Sequence, residues 1–195
     1  MGISIVNWHS LKIEMKYNPL IHHRRSIRLK GYDYSKAGAY FITICCEDRL
    51  HRFGKVSDNE MILNELGTIA YNEWINLANR FSNFELDVFQ IMPNHMHGII
   101  VLSDVGATLA VAQEESALNR ATARVAPTIS DIIGAYKSIV SNACLQLFKS
   151  HNKIMGKLWQ RNYYEHIIRD ARAYQNISNY IINNPNKWNE DKLDL

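Results

Sequence analysis

Apolar and polar residues alternate along the chain in blocks that predict a mixture of strands and helices. The β-rich run at residues 39–46 predicts a first strand, and its nearly continuous apolar character favours a central position in a sheet. The apolar runs 84–92 and 95–102 are separated only by a Pro-Asn break, which predicts two adjacent strands joined by a tight connection. A fourth strand or extended edge is expected within residues 158–168.

Apolar residues at helical spacing predict three helices, each preceded by a polar residue placed to cap its first turn. Asn64 precedes the first stripe, which ends near residue 79 or 80. Thr128 and Asp131 have the spacing of a capping box before the second stripe, and Asp170 precedes the third. Pro185 ends the third helix, because proline interrupts the helical hydrogen-bond ladder.

With a small hairpin at residues 53–63 set aside, the predicted order is strand, helix, strand, strand, helix, strand, helix. This is a split βαβ pattern, and it predicts an α+β fold with one antiparallel sheet and helices on one face. The opposite face would then be open to a ligand. Neither a second domain nor an internal repeat is indicated.

The chain divides into an arm, one domain and a tail. Residues 1–30 lack a firm periodicity and end in a basic cluster, so we interpret them as a basic N-terminal arm. Residues 31–188 form the predicted domain, and residues 189–195 form a polar tail. Within the domain, residues 104–127 are rich in Ala, Thr, Glu, Gln and Ser without aromatics, which predicts a flexible insertion.

Composition narrows the class of protein. The 195 residues, of which 47% are hydrophobic and 21% charged, fit one globular domain. The net charge of +3 does not by itself indicate nucleic acid, but the local basic cluster can neutralise phosphates, with a solvated tail as the alternative. No apolar run reaches transmembrane length, and no signal-peptide core begins the sequence. Three cysteines lack metal-type spacing, so we expect a soluble cytoplasmic protein with reduced thiols and no membrane partner.

His95 and His97 stand at the start of the third main strand with one residue between them. Side chains alternate faces along a strand, so both imidazoles project from the same face and could hold a divalent ion. Two histidines are an incomplete metal shell, and a third ligand must come from elsewhere in the chain. The alternative is a half-exposed polar face without chemistry.

The last predicted helix offers the missing groups. Tyr180 lies off the apolar stripe, and Asn184, one turn later, shares its side. Neutral imidazoles and an amide oxygen suit Mg²⁺ or Mn²⁺ and leave the charge of the ion for a phosphate. Beside such an ion, Tyr180 could attack phosphorus, form a covalent phosphotyrosine and free a 3′-hydroxyl. From the helix alone, Tyr180 is a rim residue and Asn184 a cap donor, and this alternative stays open.

Several motifs together resemble the REP-associated tyrosine transposases, which are single-tyrosine members of the HUH group of single-strand DNA transposases. Residues 92–100 (MPNHMHGII) look like the HUH motif, two histidines about a bulky hydrophobic residue. The resemblance runs from about residue 24 to residue 188. The other similar segments are 25–34 (RSIRLKGYDY), 38–44 (GAYFITI), 158–161 (LWQR), 164–169 (YEHIIR) and 180–185 (YIINNP).

This resemblance implies a ferredoxin-like fold, a divalent metal on the HUH pair, and 5′-phosphotyrosine chemistry on DNA hairpins with single-stranded flanks. Carried over by position, His95 and His97 bind the metal, Tyr180 is the nucleophile and Asn184 is the third ligand. A monomer and a homodimer both stay open. The expected phosphate contacts are Arg24, Arg25, Arg28, Lys30 and Arg161.

Two other functions stay open. One is a hairpin-binding protein of the same fold that does not cleave, and the other is a replication-initiator or relaxase nickase. Tyr180 together with the histidine pair argues against the pure binder, and the lack of a helicase-like region or a second nearby catalytic tyrosine argues against the nickase. Tyr163 and Tyr164 are either base-stacking residues or ordinary edge-strand tyrosines, and His166 either approaches the site or is structural.

Overall fold

The computed structural model describes residues 37–103 and 127–190. Three predicted segments lie wholly or largely outside the described residues. They are the arm at 1–30, the insertion at 104–127 except for residue 127, and residues 191–195 of the tail. Short 3-10 turns cover Glu47–Arg49, Asn76–Asn79 and Pro185–Glu190. None of the helices in the described ranges is long and apolar enough to span a bilayer.

In chain order the elements are β1 (Gly38–Cys45), β2 (Gly54–Ser57), β3 (Glu60–Leu63), α1 (Glu65–Ile75), β4 (Phe84–Ile91), β5 (His95–Leu102), α2 (Ile129–Ser150), β6 (Tyr164–Ile168) and α3 (Ala171–Ile182).

Strands β1, β4, β5 and β6 form one antiparallel sheet in the order β4, β5, β1, β6. The predicted α+β fold with an antiparallel sheet is therefore confirmed, and β1 is interior, as its apolar run predicts. The register places Thr43 opposite both His97 on β5 and Tyr164 on β6. Strands β2 and β3 form a separate hairpin, whose turn residues Asp58 and Asn59 have φ of 53° and 63°. Aspartate and asparagine tolerate this left-handed backbone better than most residues.

Polar caps begin the three helices where the sequence predicts them. The Asn64 side chain accepts a hydrogen bond of 2.9 Å from an N–H of the first turn of α1. Thr128 and Asp131 form a reciprocal capping box at α2, and Asp170 accepts a first-turn N–H of α3 at 2.8 Å. Because caps satisfy N–H groups that lack helical partners, local sequence sets where α3 begins and hence the position of Tyr180 along it.

One face of the sheet packs against α1 and α2 and forms the hydrophobic core. Tyr40, Ile42 and Ile44 of β1 are fully buried on this face. They belong to one cluster with Trp74 of α1 and the apolar stripe of α2. Gly98 of β5 allows this close packing, because a Cβ at that position would lie 2.7 Å from Cζ2 of Trp74.

The third helix packs on the opposite face, where it contacts β4 and β5. Phe41 projects to that face, because its neighbours along β1 point into the core. The ring centroids of Phe41 and Tyr180 are 6.2 Å apart. Two helices therefore cover one face of the sheet, while α3 packs on β4 and β5 at the other face, where the histidine pair is buried.

Candidate metal and nucleophile site

The histidine pair begins β5, and both side chains are buried. His95 is 0% exposed and His97 is 2% exposed. The register between β1 and β5 sets Cys45 opposite His95 and Thr43 opposite His97. Both imidazoles project to the face on which α3 packs, and their Nε2 atoms are 3.0 Å apart.

Each imidazole is oriented by a contact at its other ring nitrogen. Nδ1 of His95 is 2.7 Å from Oδ1 of Asn94, and Nδ1 of His97 is 2.8 Å from Oγ1 of Thr43. An amide oxygen only accepts hydrogen bonds, so His95 donates from Nδ1 and keeps a lone pair on Nε2. Outer contacts of this kind hold metal-binding histidines in the correct tautomer and ring orientation.

Burial sets the charge of His97. Desolvation, followed by the neighbouring His95, holds the pKa of His97 well below its usual range. His97 is therefore neutral at pH 7. The neutral imidazole is the form that binds metal ions, because it has a free lone pair.

The donor atoms fit a divalent ion that keeps open coordination positions. Two ligand atoms at right angles and about 2.1 Å from one ion lie about 3 Å apart, which matches the 3.0 Å between the two Nε2 atoms. Within residues 37–103 and 127–190, no group of three or more His, Cys, Asp and Glu side chains could hold a metal. An amide, water or substrate oxygen as a further ligand would suit a hard ion such as Mg²⁺ or Mn²⁺.

Tyr180 reaches the pair from α3 of the same chain. Its hydroxyl oxygen lies 3.1 Å from Nε2 of His97, and the two ring centroids are 5.1 Å apart. Phe41 stacks on His97 at 5.3 Å and meets Tyr180 edge-on at 6.2 Å. Tyr180 is nevertheless 44% exposed. The phenol is therefore held by two rings and still accessible to a substrate.

Asn184 is buried in the turn after α3, with 2% of its surface exposed. Its N–H donates to the carbonyl of Ile181, and its carbonyl accepts from the N–H of Lys187. The same turn continues to Trp188, whose ring stacks on His95 with centroids 5.9 Å apart. Asn184 thus belongs to a segment that packs on the pair, and its role as third ligand stays a prediction.

Sequence reasoning missed several side chains that shape the site. Trp188 stacks on His95 and contacts His51 edge-on at 5.5 Å. Nothing in the chain order shows which ring this tryptophan meets. Thr43 and Asn94 carry a usable signal, because each is a polar residue within or next to an apolar strand.

The predicted phosphate contacts lie in two parts of the chain. Arg161 is exposed three residues before the start of β6, and its carbonyl accepts a hydrogen bond from Nζ of Lys137 at 3.0 Å. The positive charge of Arg161 is therefore presented to solvent on a backbone that Lys137 holds in place. The remaining predicted contacts, which lie outside the described residues, are Arg24, Arg25, Arg28 and Lys30.

The two neighbouring tyrosines have different surroundings. The hydroxyl of Tyr163 is 3.0 Å from Oγ of Ser130, and its ring packs against the core. Tyr164 is 48% exposed and meets Phe41 edge-on at 6.3 Å. His166 is exposed two residues later, rather than buried as a structural histidine would be. Tyr163 is thus a packing residue, whereas Tyr164 and His166 face solvent on the side of the candidate site.

Comparison with known proteins bears on the family. No protein-family model matches the chain. A protein of Haemophilus influenzae of uncharacterised function is 41% identical over 179 residues, which cover 91% of this chain and 97% of that protein. A second protein of Haemophilus influenzae, named "Putative REP-associated tyrosine transposase", is 27% identical over 156 residues, with 80% of this chain and 74% of that protein covered.

Among solved structures, a REP-associated tyrosine transposase bound to a REP hairpin matches with a TM-score of 0.56 and 21% identity. The match covers 85% of this chain and 76% of that chain. It shows that the two chains share a fold, and it confirms the resemblance predicted from the motifs. The chain therefore belongs to one family with the 41% identical protein of Haemophilus influenzae, and it resembles the REP-associated tyrosine transposases in sequence and in fold.

Proposed function

We propose that this protein is a metal-dependent transposase and single-strand DNA endonuclease. It cleaves and rejoins DNA at REP-like hairpins through a 5′-phosphotyrosine on Tyr180. The observation that carries the proposal is the 3.1 Å between the Tyr180 hydroxyl oxygen and Nε2 of His97. A phenol beside two converging imidazole nitrogens has the groups that covalent phosphoryl transfer needs. The hairpin bound to the solved relative supports hairpin DNA as the substrate.

The strand order supports a ferredoxin-like framework for this activity. One split βαβ unit consists of β1, α1 and β4, and the second consists of β5, α2 and β6. The two units interleave, because β5 lies between β1 and β4 in the sheet. The site then occupies the two central strands, β1 and β5, where hydrogen bonds on both sides hold the backbone rigidly.

Tyr180 is the nucleophile in this proposal. Its hydroxyl oxygen bonds to phosphorus, the bond to the 3′-oxygen breaks, and the 5′-phosphoryl group stays on the tyrosine. The phenol proton passes to water, since the residue is 44% exposed, and the leaving 3′-oxygen takes up a proton. Attack by a 3′-hydroxyl reverses these steps and rejoins the DNA without ATP, because the covalent link conserves the energy of the phosphodiester.

His95 and His97, together with Asn184, would hold the divalent ion. The chemistry that a bound Mg²⁺ or Mn²⁺ supplies is Lewis-acid polarisation of a phosphodiester oxygen. Asn94 and Thr43 keep the two imidazoles turned toward a common point. An ion held by these imidazoles would lie on the side of His97 that the Tyr180 hydroxyl contacts.

The DNA partner is a hairpin with single-stranded flanks. Exposed cations contact phosphates and fix the register of the DNA on the protein, without reading its sequence. In the described part of the chain Arg161 has this role, and the basic arm supplies the others.

The test is covalent capture of labelled DNA. Hairpin oligonucleotides with single-stranded flanks are incubated with the protein and Mg²⁺ or Mn²⁺, then run on a denaturing gel. A label at the 3′ end should become attached to the protein, whereas a label at the 5′ end should appear on a shorter free strand. Tyr180→Phe should abolish both products and retain hairpin binding, because only the hydroxyl is removed.

Tyr71→Phe is the matched control, because Tyr71 is also partly exposed, at 41%, and lies on α1 at the other face of the sheet. It should form the adduct normally. Persistence of the adduct in Tyr180→Phe would assign the nucleophile elsewhere. Hairpin binding without any adduct in either metal would identify a protein that binds and does not cleave.

A further inference from the structure

The outer strand β6 exposes a line of side chains beside the candidate site. Tyr164 is 48% exposed, and His166, two residues on, is exposed on the same face. Arg161 precedes the strand and Arg169 follows it, and both are exposed. Aromatic rings with cations at both ends are the composition that single-stranded nucleic acid binds. These four residues are called the β6 strip.

Strand register places Tyr164 of the β6 strip close to the proposed nucleophile. Thr43 is opposite His97 on one side and opposite Tyr164 on the other, so these residues form one row across the sheet. The ring of Phe41 contacts the rings of His97, Tyr180 and Tyr164, with centroids at 5.3, 6.2 and 6.3 Å. A strand whose phosphate meets Tyr180 therefore brings its neighbouring bases to Tyr164.

The face of Tyr164 suits an unstacked base. The ring has an edge contact with Phe41, and almost half of the residue is exposed to solvent. A base inside a duplex is already stacked on both sides, so only a single-stranded flank can offer one. Exposed Arg161 and Arg169 complement the phosphates of such a strand.

We propose that Tyr164 stacks on a base of the single-stranded flank next to the phosphate that Tyr180 attacks. This inference rests on the proposed function, because it takes the path of the DNA from Tyr180. It adds the part of the protein that binds the flank.

The experiment measures binding in the Tyr180→Phe background, where the DNA stays intact. A hairpin with one 2-aminopurine, moved base by base along the flank, reports stacking by a fluorescence change at one position. Anisotropy of the same oligonucleotide gives its affinity. We expect Tyr164→Ala to remove the fluorescence change and to weaken binding about tenfold, equivalent to ~1.4 kcal/mol. Tyr164→Phe should retain both, because it keeps the ring.

Tyr71→Ala is the matched control for loss of an exposed tyrosine and should bind as the parent does. Since Tyr164 is half exposed on an outer strand, circular dichroism should show an unchanged fold in its variants. Parent-like affinity in Tyr164→Ala overturns the inference, as does an equal loss in Tyr164→Phe and Tyr164→Ala, which would assign the effect to the hydroxyl.

The outcomes separate this inference from the proposed function. If an adduct forms on Tyr180 and Tyr164→Ala binds DNA as the parent does, the inference is overturned and the proposed function is left intact. Binding that depends on Tyr164 without any adduct supports the β6 strip and overturns the cleavage chemistry.

Discussion

Two side chains that touch no substrate determine how the imidazoles are presented. The amide oxygen of Asn94 fixes the proton of His95 on Nδ1, and the hydroxyl of Thr43 contacts Nδ1 of His97. Without these contacts each ring could rotate or change tautomer, and its Nε2 lone pair would no longer point at the shared position. The orientation of the two proposed ligand atoms thus depends on the side chains that contact the imidazoles from behind.

The consequence can be measured at Asn94. We expect Asn94→Ala to weaken Mn²⁺ binding about 10- to 100-fold, the usual cost of removing an outer contact of a metal-binding histidine. Asn94→Asp should preserve the affinity, because a carboxylate oxygen also accepts from Nδ1. Isothermal titration calorimetry with Mn²⁺ checks both variants.

Asn72→Ala is the matched control, since Asn72 is an exposed amide on α1 and should leave the titration unchanged. An unaltered affinity in Asn94→Ala would show that the orientation of His95 does not depend on this contact.

At the residue scale, the sequence predicts which side chains belong to the candidate site better than it predicts which of them touch. The alternation of side chains along a strand is enough to place His95 and His97 on one face. It does not show that Tyr180 meets His97 at 3.1 Å, because that contact depends on how α3 packs on the sheet. The position of the Trp188 ring is harder still to predict, because its stacking on His95 depends on the conformation of the turn after α3.

At the scale of elements, the position of β5 depends on one glycine next to the histidine pair. Gly98 lies where Trp74 of α1 packs against the sheet, and an added Cβ would be 2.7 Å from Cζ2 of Trp74 and 3.3 Å from Cβ of Phe89. Either the indole or β5 would have to move. Packing against Trp74 therefore explains the glycine after the second histidine, independently of any chemistry at the pair.

We expect Gly98→Ala to lower the free energy of unfolding by about 1–3 kcal/mol, the usual cost of overpacking a core. Gly134→Ala is the paired change. Gly134 lies inside α2 with nothing within 4 Å of an added Cβ, so alanine there should raise stability by about 0.5–1 kcal/mol through helix propensity. Urea denaturation measures both. Equal stability of the two variants would contradict the close approach of Trp74 to β5.

Helix starts and strand identities follow from local sequence, and the sheet order does not. Asn64, Thr128 and Asp170 cap helices at the predicted residues because capping needs only the first turn. The pairing of β1 with both β5 and β6 joins segments distant in the chain. The split βαβ pattern limits the possible strand orders, because connections between strands follow general topological rules. No individual residue indicates which strands pair.

At the scale of the whole molecule, one chain brings the proposed nucleophile and both histidines together. Tyr180 is 83 residues from His97 in sequence, and their contact is made within the same chain. We therefore predict that the site needs no tyrosine from a second copy, whereas the predictions from sequence left a monomer and a homodimer open.

Mixing two inactive variants tests this arrangement. We expect a mixture of Tyr180→Phe and His97→Ala chains to form no covalent adduct with hairpin DNA, because neither chain holds both groups. Chains of different size, separated on a denaturing gel, would show which one carries label. An adduct on the His97→Ala chain would mean that its tyrosine acts at the site of a partner. Unaltered chains mixed with either variant should keep their own activity and serve as the reference.

Because α3 places Tyr180 against a histidine of the same chain, the proposed cleavage should depend on protein concentration in a simple way. If each DNA break needs a single chain and a single hairpin, the initial rate should rise in simple proportion to protein concentration, without a threshold for assembly. Dilution would then slow the reaction only by making encounters with DNA less frequent. Under the proposed function, a few molecules would then suffice to nick a hairpin, each acting alone.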